Sequence, residues 1–125
     1  MVAVEVANRS GVDVEEEEAV ELARRVLAAE GVEEGELGLH FVGPEEMRTL
    51  KREHLGVDEV TDVLSFPIDA RDALDTDVPR QLGDAVLCPQ VTGEGWRGPL
   101  VHGLLHLLGY DHGSEMEQVE ARWSA

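Results

Sequence analysis

The chain is poor in several things at once. It has a single cysteine, Cys88, which excludes an internal disulfide framework and fits a reducing compartment. The opening MVAVEVANRS has no basic segment ahead of an apolar run, so it does not read as a secretory signal. No stretch approaches the roughly 18 consecutive apolar residues that a membrane-spanning helix needs. A cytoplasmic protein with no membrane partner is the expectation. Aromatic residues are scarce, at 4%. Positive charge is also in short supply: ten basic residues stand against 27 acidic ones, for a formal net charge of −17, and Lys51 is the only lysine. Such a surface repels polyanions and counts against broad nucleic-acid binding. It suits a highly solvated surface first, and as a second reading one adapted to high salt, where repulsion is screened.

What remains is enough for one folded domain over residues 1–125. The chain is 42% hydrophobic, long enough to build a core without disulfides, and shows no repeat or linker. VAVEVA alternates like a half-buried strand. Asp13 and Glu16 form a helix-start signature, Ala19, Val20, Ala23, Val26 and Leu27 make one apolar stripe, and Gly31 stops that helix. ELGLHFVG is a second strand with Leu37, Leu39 and Phe41 on one face. A second helix opens at Pro44 and turns Met47 and Leu50 inward. TDVLSFPI is a third strand, with Pro67 placing its end at a sheet edge or bulge. DARDALDTDVPRQLG reads as a surface loop, DAVLCP as a short strand buried on both faces, and QVTGEGWRGP as irregular. From Pro99 a helix carries Leu100, Val101, Leu104, Leu105, Leu107 and Leu108 to a left-handed Gly109. Ser114 with Glu117 makes a capping box for a last helix. The order β-α-β-α-β-β-α-α implies an α+β domain with a small mixed sheet.

Three of the five histidines fall within VHGLLHLLGYDHGSEMEQ. His102 and His106 are four apart on a helix, so both imidazoles leave one face. Gly109 breaks the helix and lets His112 return to the same point. H-x-x-x-H-x-x-G-x-x-H thus supplies three neutral nitrogen ligands, which suits one zinc ion per chain with one coordination position open. Nickel, cobalt or manganese could also occupy three imidazoles. An open position is the mark of a catalytic site, where a bound water has its pKa lowered. A class of zinc proteases shares the spacing but carries a general-base glutamate directly after the first histidine. Here that position is Gly103, which argues against peptide hydrolysis by that route.

HGLLHLLGYDH (102–112), TDVLSFP (61–67) and LGDAVLCP (82–89) together resemble the three signatures of the YbeY family of bacterial metal-dependent endoribonucleases. The resemblance implies a mixed four-stranded sheet flanked by helices, with the metal site at the end of a C-terminal helix and zinc held by His102, His106 and His112. It implies cleavage of single-stranded RNA, 16S rRNA 3′-end processing and ribosome quality control, with rRNA and the small ribosomal subunit as partners. It also suggests that the strand of Thr61, Asp62 and Ser65 lines the substrate cleft. The alternative for Thr61 and Asp62 is a simple turn.

Two departures stand out. Many members carry an arginine six residues before the threonine of TDVLSFP, where this chain has Leu55; the nearest cations are Arg48, Lys51 and Arg52, on one helix face. The segment between the LGD strand and the histidine helix is also short.

Asp111, between hinge and third ligand, is a candidate to orient a histidine's second nitrogen, or else a turn-forming aspartate. Tyr110 is expected to pack rather than react. Asp84 opens a buried strand and needs a partner there, a structural duty. Cys88 is expected in the core, and His40 and His54 are expected not to be ligands. At −17, an RNA enzyme would be helped by basic ribosomal-protein or GTPase partners that present the substrate. A non-catalytic, zinc-stabilised ribosome-assembly factor is the second reading, and another zinc hydrolase the third.

Overall fold

A computed structural model describes residues 1–69 and 80–123. Its strands are β1 (Ala3–Arg9), β2 (Glu36–Val42), β3 (Val63–Pro67) and β4 (Gln81–Leu87). Its helices are α1 (Glu16–Ala29), α2 (Pro44–Leu55), α3 (Pro89–Thr92), α4 (Arg97–Leu107) and α5 (Ser114–Trp123). The four strands form one mixed sheet in the order β1-β2-β4-β3. β1 and β2 run parallel, as do β2 and β4, while β3 pairs antiparallel with β4 as an edge strand. Pro67 ends that edge strand, where a missing N–H costs no ladder bond.

Alternation decides which side of the sheet each residue serves. Leu37, Leu39 and Phe41 of β2 point to one face and are buried there against Ala19, Ala23, Val26 and Leu27 of α1 and Leu100, Leu104 and Leu105 of α4. Each large side chain so buried contributes about 1.5–3 kcal/mol of hydrophobic stabilisation before entropy is counted. On the opposite face Val42, Val86 and Leu64 meet Met47 of α2 and Cys88, with Leu50 and Phe66 at the margin. Helix α4 is the hub of the main core. It packs on β3 and β4 from one side and on α1 and α5 from the others, so both ends of its histidine-bearing face are fixed by the core.

Several boundaries differ from the sequence reading. Helix α1 begins at Glu16, and Glu15 rather than Asp13 precedes it without a side-chain cap; the Glu15 carbonyl takes the Ala19 N–H at 3.0 Å. Residues 70–79 of the expected surface loop lie outside the described residues. Its last three residues, Gln81–Gly83, belong instead to β4, because Gln81 pairs with Glu36, and Gly83 with both Leu37 and Pro67; sheet pairing on both sides overrides weak local preference. The segment after Cys88 is not wholly irregular: Pro89 opens the short α3, whose Val91 and Thr92 N–H groups return to the Cys88 carbonyl at 2.9 and 3.0 Å. Helix α4 starts at Arg97, two residues before Pro99, preceded by the buried Trp96, whose indole N–H donates to Glu15 at 3.2 Å. At α5 the Glu117 N–H reaches the Gly113 carbonyl at 3.0 Å, so Gly113 holds the cap position and Ser114 is the first helical residue. Thr61 and Asp62 precede β3 rather than open it.

Among the described residues, no helix is long and apolar enough to cross a membrane.

Candidate metal centre

The helix that carries His102 and His106 ends in a way that delivers His112. The Gly109 N–H bonds the His106 carbonyl and the Tyr110 N–H the Leu105 carbonyl, both at 3.0 Å. That pair of bonds is a Schellman turn, and it requires the left-handed φ of 96° that Gly109 adopts. The chain reverses, and the three rings come together with centroids 4.5, 5.1 and 4.8 Å apart. One ligand nitrogen from each lies within 4.8 Å of the others.

The hydrogen bonds behind the rings decide what those nitrogens can do. His106 Nδ1 is 2.9 Å from the Tyr110 carbonyl oxygen. A carbonyl only accepts, so Nδ1 carries the proton and a neutral His106 presents a bare Nε2. His102 Nδ1 is 3.3 Å from a carboxylate oxygen of Glu120 on α5, with the same consequence. The two Nε2 atoms face one another at 3.0 Å. As neutral imidazoles they set two lone pairs against each other, an arrangement that a cation between them satisfies. Burial also pushes the His106 pKa down, with the neighbouring His102 and His112 adding to that and the Tyr110 bond opposing it, so the ring stays neutral and available. The donor set therefore fits a borderline-soft divalent ion held by nitrogen.

The cluster lies in an open cleft of about 720 Å³ lined by α2, β3, α4, the Gly109 turn and α5. Thr61, Asp62, Ser65 and Asp111 all line it beside the three histidines. Asp62 accepts the Val63 N–H at 2.8 Å through its side chain, which starts the strand, and still borders the cleft. The Ser65 hydroxyl donates to the Gly103 carbonyl at 2.8 Å, tying β3 to α4. Asp111 is exposed; the second nitrogens of His106 and His102 are taken by Tyr110 and Glu120. Gly103 faces the sheet: a Cβ there would lie 2.9 Å from Val63 Cγ2 and 3.1 Å from Ser65 Oγ. The protease-like glutamate has no room at this position.

Glu120 is the residue that sequence reasoning missed. Its signal is faint but present, since Met116 and Val119 of α5 are buried and Glu120 follows on the same inward stripe, four residues after Met116. The remaining histidines lie away from the cluster. His40 Nε2 pairs with Asp84 Oδ1 at 2.9 Å on the α2 side of the sheet, which gives Asp84 its partner, although that carboxylate is half-exposed rather than buried. His54 stacks edge-on against Phe66 at 4.9 Å. Cys88 is fully buried. Tyr110 packs against the core and donates through its hydroxyl to Glu30 at 2.6 Å. Leu55 lines the cleft and is 58% exposed.

A model of the family described as Endoribonuclease YbeY matches residues 5–123 of this chain. A relative named Endoribonuclease YbeY from Acidothermus cellulolyticus is 41% identical over 90% of this chain and 80% of its own length. Relatives with the same name from Mycobacterium ulcerans and Micrococcus luteus are each 38% identical over 94% of this chain, covering 75% and 84% of their own lengths. The solution structure of TM1509 from Thermotoga maritima shares the fold, with a TM-score of 0.61 and 23% identity over 98% of this chain and 86% of that one. The chain belongs to the YbeY family.

Proposed function

We propose that residues 1–125 form one metal-dependent endoribonuclease domain that cuts single-stranded RNA in rRNA maturation, including 16S rRNA 3′-end processing and ribosome quality control in the cytoplasm. The observation that carries it is the pair of oriented histidine nitrogens, His102 and His106, converging with His112 in the lining of an open cleft. His102, His106 and His112 are the ligands in this reading, and zinc is the ion, on ligand type and availability. A divalent ion held there would supply positive charge to a scissile phosphate and activate the attacking oxygen. The chain's own residues do the rest. Tyr110 and Glu120 fix the tautomers, so that the ligand nitrogens face inward before any ion arrives. Ser65 holds β3 against α4, which sets the depth of the cleft. Thr61, Asp62 and Ser65 form its substrate-facing wall, and Asp111 stands beside the ligands, close enough to influence the charge on His106. With a net charge of −17, approach of free RNA is opposed, so docking through basic ribosomal proteins or a GTPase on the small subunit is part of the proposal.

The test is cleavage of a single-stranded rRNA fragment by the metal-loaded protein beside His112→Ala. Cleavage by the parent and its loss in the variant is the expected result. Cleavage persisting in a variant that has lost its ion would refute the metal role. No cleavage by either, with one ion still on the parent, would favour the assembly-factor reading, which the acidic surface also suits.

A further inference from the structure

A polyanion entering the histidine cleft meets few cations. Among the described residues that line it, Lys51 is the only lysine or arginine, against the carboxylates of Asp62, Asp111 and Glu120. The three basic residues on one face of α2 have divided their duties. Arg48 donates to Asp58 at 2.6 Å and Arg52 lies 3.9 Å from the same carboxylate, and neither borders the cleft. Lys51 does, with its side chain only 15% exposed. Its ammonium meets the exposed carboxylate of Glu59 at 2.7 Å, as expected of a lysine whose stem is covered while its charge stays near water. Such a lysine loses little side-chain freedom when it takes a new partner. Glu59 is a replaceable partner: its side chain is 60% exposed, so water can solvate the carboxylate once the ammonium turns to a phosphate. One helical turn on, Leu55 lines the same cleft and is largely exposed, an apolar surface on which a base face can rest.

We propose that Lys51 binds a backbone phosphate of single-stranded RNA in the histidine cleft, giving up Glu59 as its counter-ion. The assignment rests on the endoribonuclease reading above. Phosphate contacts position a strand without reading its sequence, so Lys51 would act on affinity for any single-stranded substrate.

The experiment measures binding of the metal-loaded protein to a single-stranded 2′-O-methyl oligoribonucleotide by fluorescence anisotropy across a salt series. Cleavage of unmodified RNA is followed in parallel, with His112→Ala as control. Lys51→Gln keeps the stem and removes the charge. It should weaken binding about tenfold at moderate salt, and shift the slope of log K against log salt by about +0.7, the share of one single-strand phosphate contact. Lys51→Arg should hold both quantities near the parent's. Glu59→Gln should tighten binding about two- to threefold by freeing the ammonium, and only while Lys51 is present; the double variant should lose that gain. Lys51→Gln matching the parent in affinity and slope would overturn the proposal. So would a Glu59→Gln effect that survives removal of the lysine, or an oligonucleotide that the parent does not bind. In that last case, metal-dependent cleavage by the parent leaves the function reading standing and removes only the role of Lys51, whereas absence of both binding and cleavage removes both.

Discussion

Replacing Gly103 by alanine sets two effects of opposite sign against each other. In an open helix the change stabilises by about 1 kcal/mol, because alanine loses less backbone entropy than glycine. Gly103 is not in an open helix. The added methyl would sit 2.9 Å from Val63 Cγ2 and 3.1 Å from Ser65 Oγ, with Ala85 Cβ at 4.0 Å. Val63 is β-branched and stiff at χ1. Ser65 is pinned by its 2.8 Å bond to the carbonyl of Gly103 itself. Neither can yield alone, so α4 has to move off the sheet, and its other sides are occupied by α1 and α5. Overpacking of this kind costs about 1–3 kcal/mol. The balance is a net loss of about 1 kcal/mol, or a fall in Tm of about 4 °C for a chain of this size.

The assay is thermal unfolding followed by circular dichroism on metal-free protein, then metal titration and RNA cleavage. His102, His106 and the Schellman turn belong to one rigid segment, so all three ligands should move together. Metal affinity should hardly change, while cleavage should fall because the wall formed by β3 no longer faces the ion at the same distance. A rise in Tm of about 4 °C would refute the reasoning, since it would mean that helix propensity wins and the contact with β3 is loose. Gly103→Glu, which restores the protease-like residue, should be worse, because it forces a much larger side chain, with a carboxylate to desolvate, into a contact that has no room for a methyl.

Two other predictions follow from the groups behind the ligands. Glu120→Ala should weaken metal binding about 10- to 100-fold, the usual effect of losing a carboxylate that orients a metal-bound imidazole, and Glu120→Gln should recover part of it; competition titration with a chelator reads both. The folded protein holds the His106 pKa below its ordinary 6.5, so between the lowered value and 6.5 the unfolded chain binds more protons than the native one. Stability of the metal-free protein should therefore rise with pH through that window, and His106→Gln should flatten the rise in urea unfolding at stepped pH; a profile unchanged by the substitution would contradict the assignment.

Local rules made the histidine cluster legible, and non-local ones hid its supports. The i, i+4 pair and the glycine hinge act through backbone geometry of a few residues, so His102, His106 and His112 converge as their spacing implies. The face of β2 was equally plain, because Leu37, Leu39 and Phe41 need only a period of two. Gln81–Gly83 read as loop in the sequence because their strand character comes from neighbours on both sides rather than from their own side chains. Asp13 with Glu16 fits a helix-start signature, yet the helix begins at Glu16, where Ala19 can pack in the core. Glu120 lies 18 residues from the ring it orients, and only the folding of α5 onto α4 joins them. The same holds for Lys51: composition marks it as the sole lysine, but only the fold shows that, among the described residues, Arg48 and Arg52 turn to Asp58 while Lys51 lines the cleft.

That division of charge bears on how an acidic chain could handle RNA at all. Long-range repulsion from a net −17 is screened over about 8 Å at physiological ionic strength, so added salt eases approach. A phosphate on Lys51 is weakened by the same salt, because counter-ions compete for it. The two trends oppose each other, and the salt dependence of the parent alone need not reveal either one. The difference between the parent and Lys51→Gln isolates the local contact, since both carry nearly the same distant field. An overall affinity that improves with salt, together with a lysine-dependent component that worsens, would be the signature of a cleft tuned for RNA within a surface that repels it. In such a protein partners of opposite charge matter more than the free encounter rate.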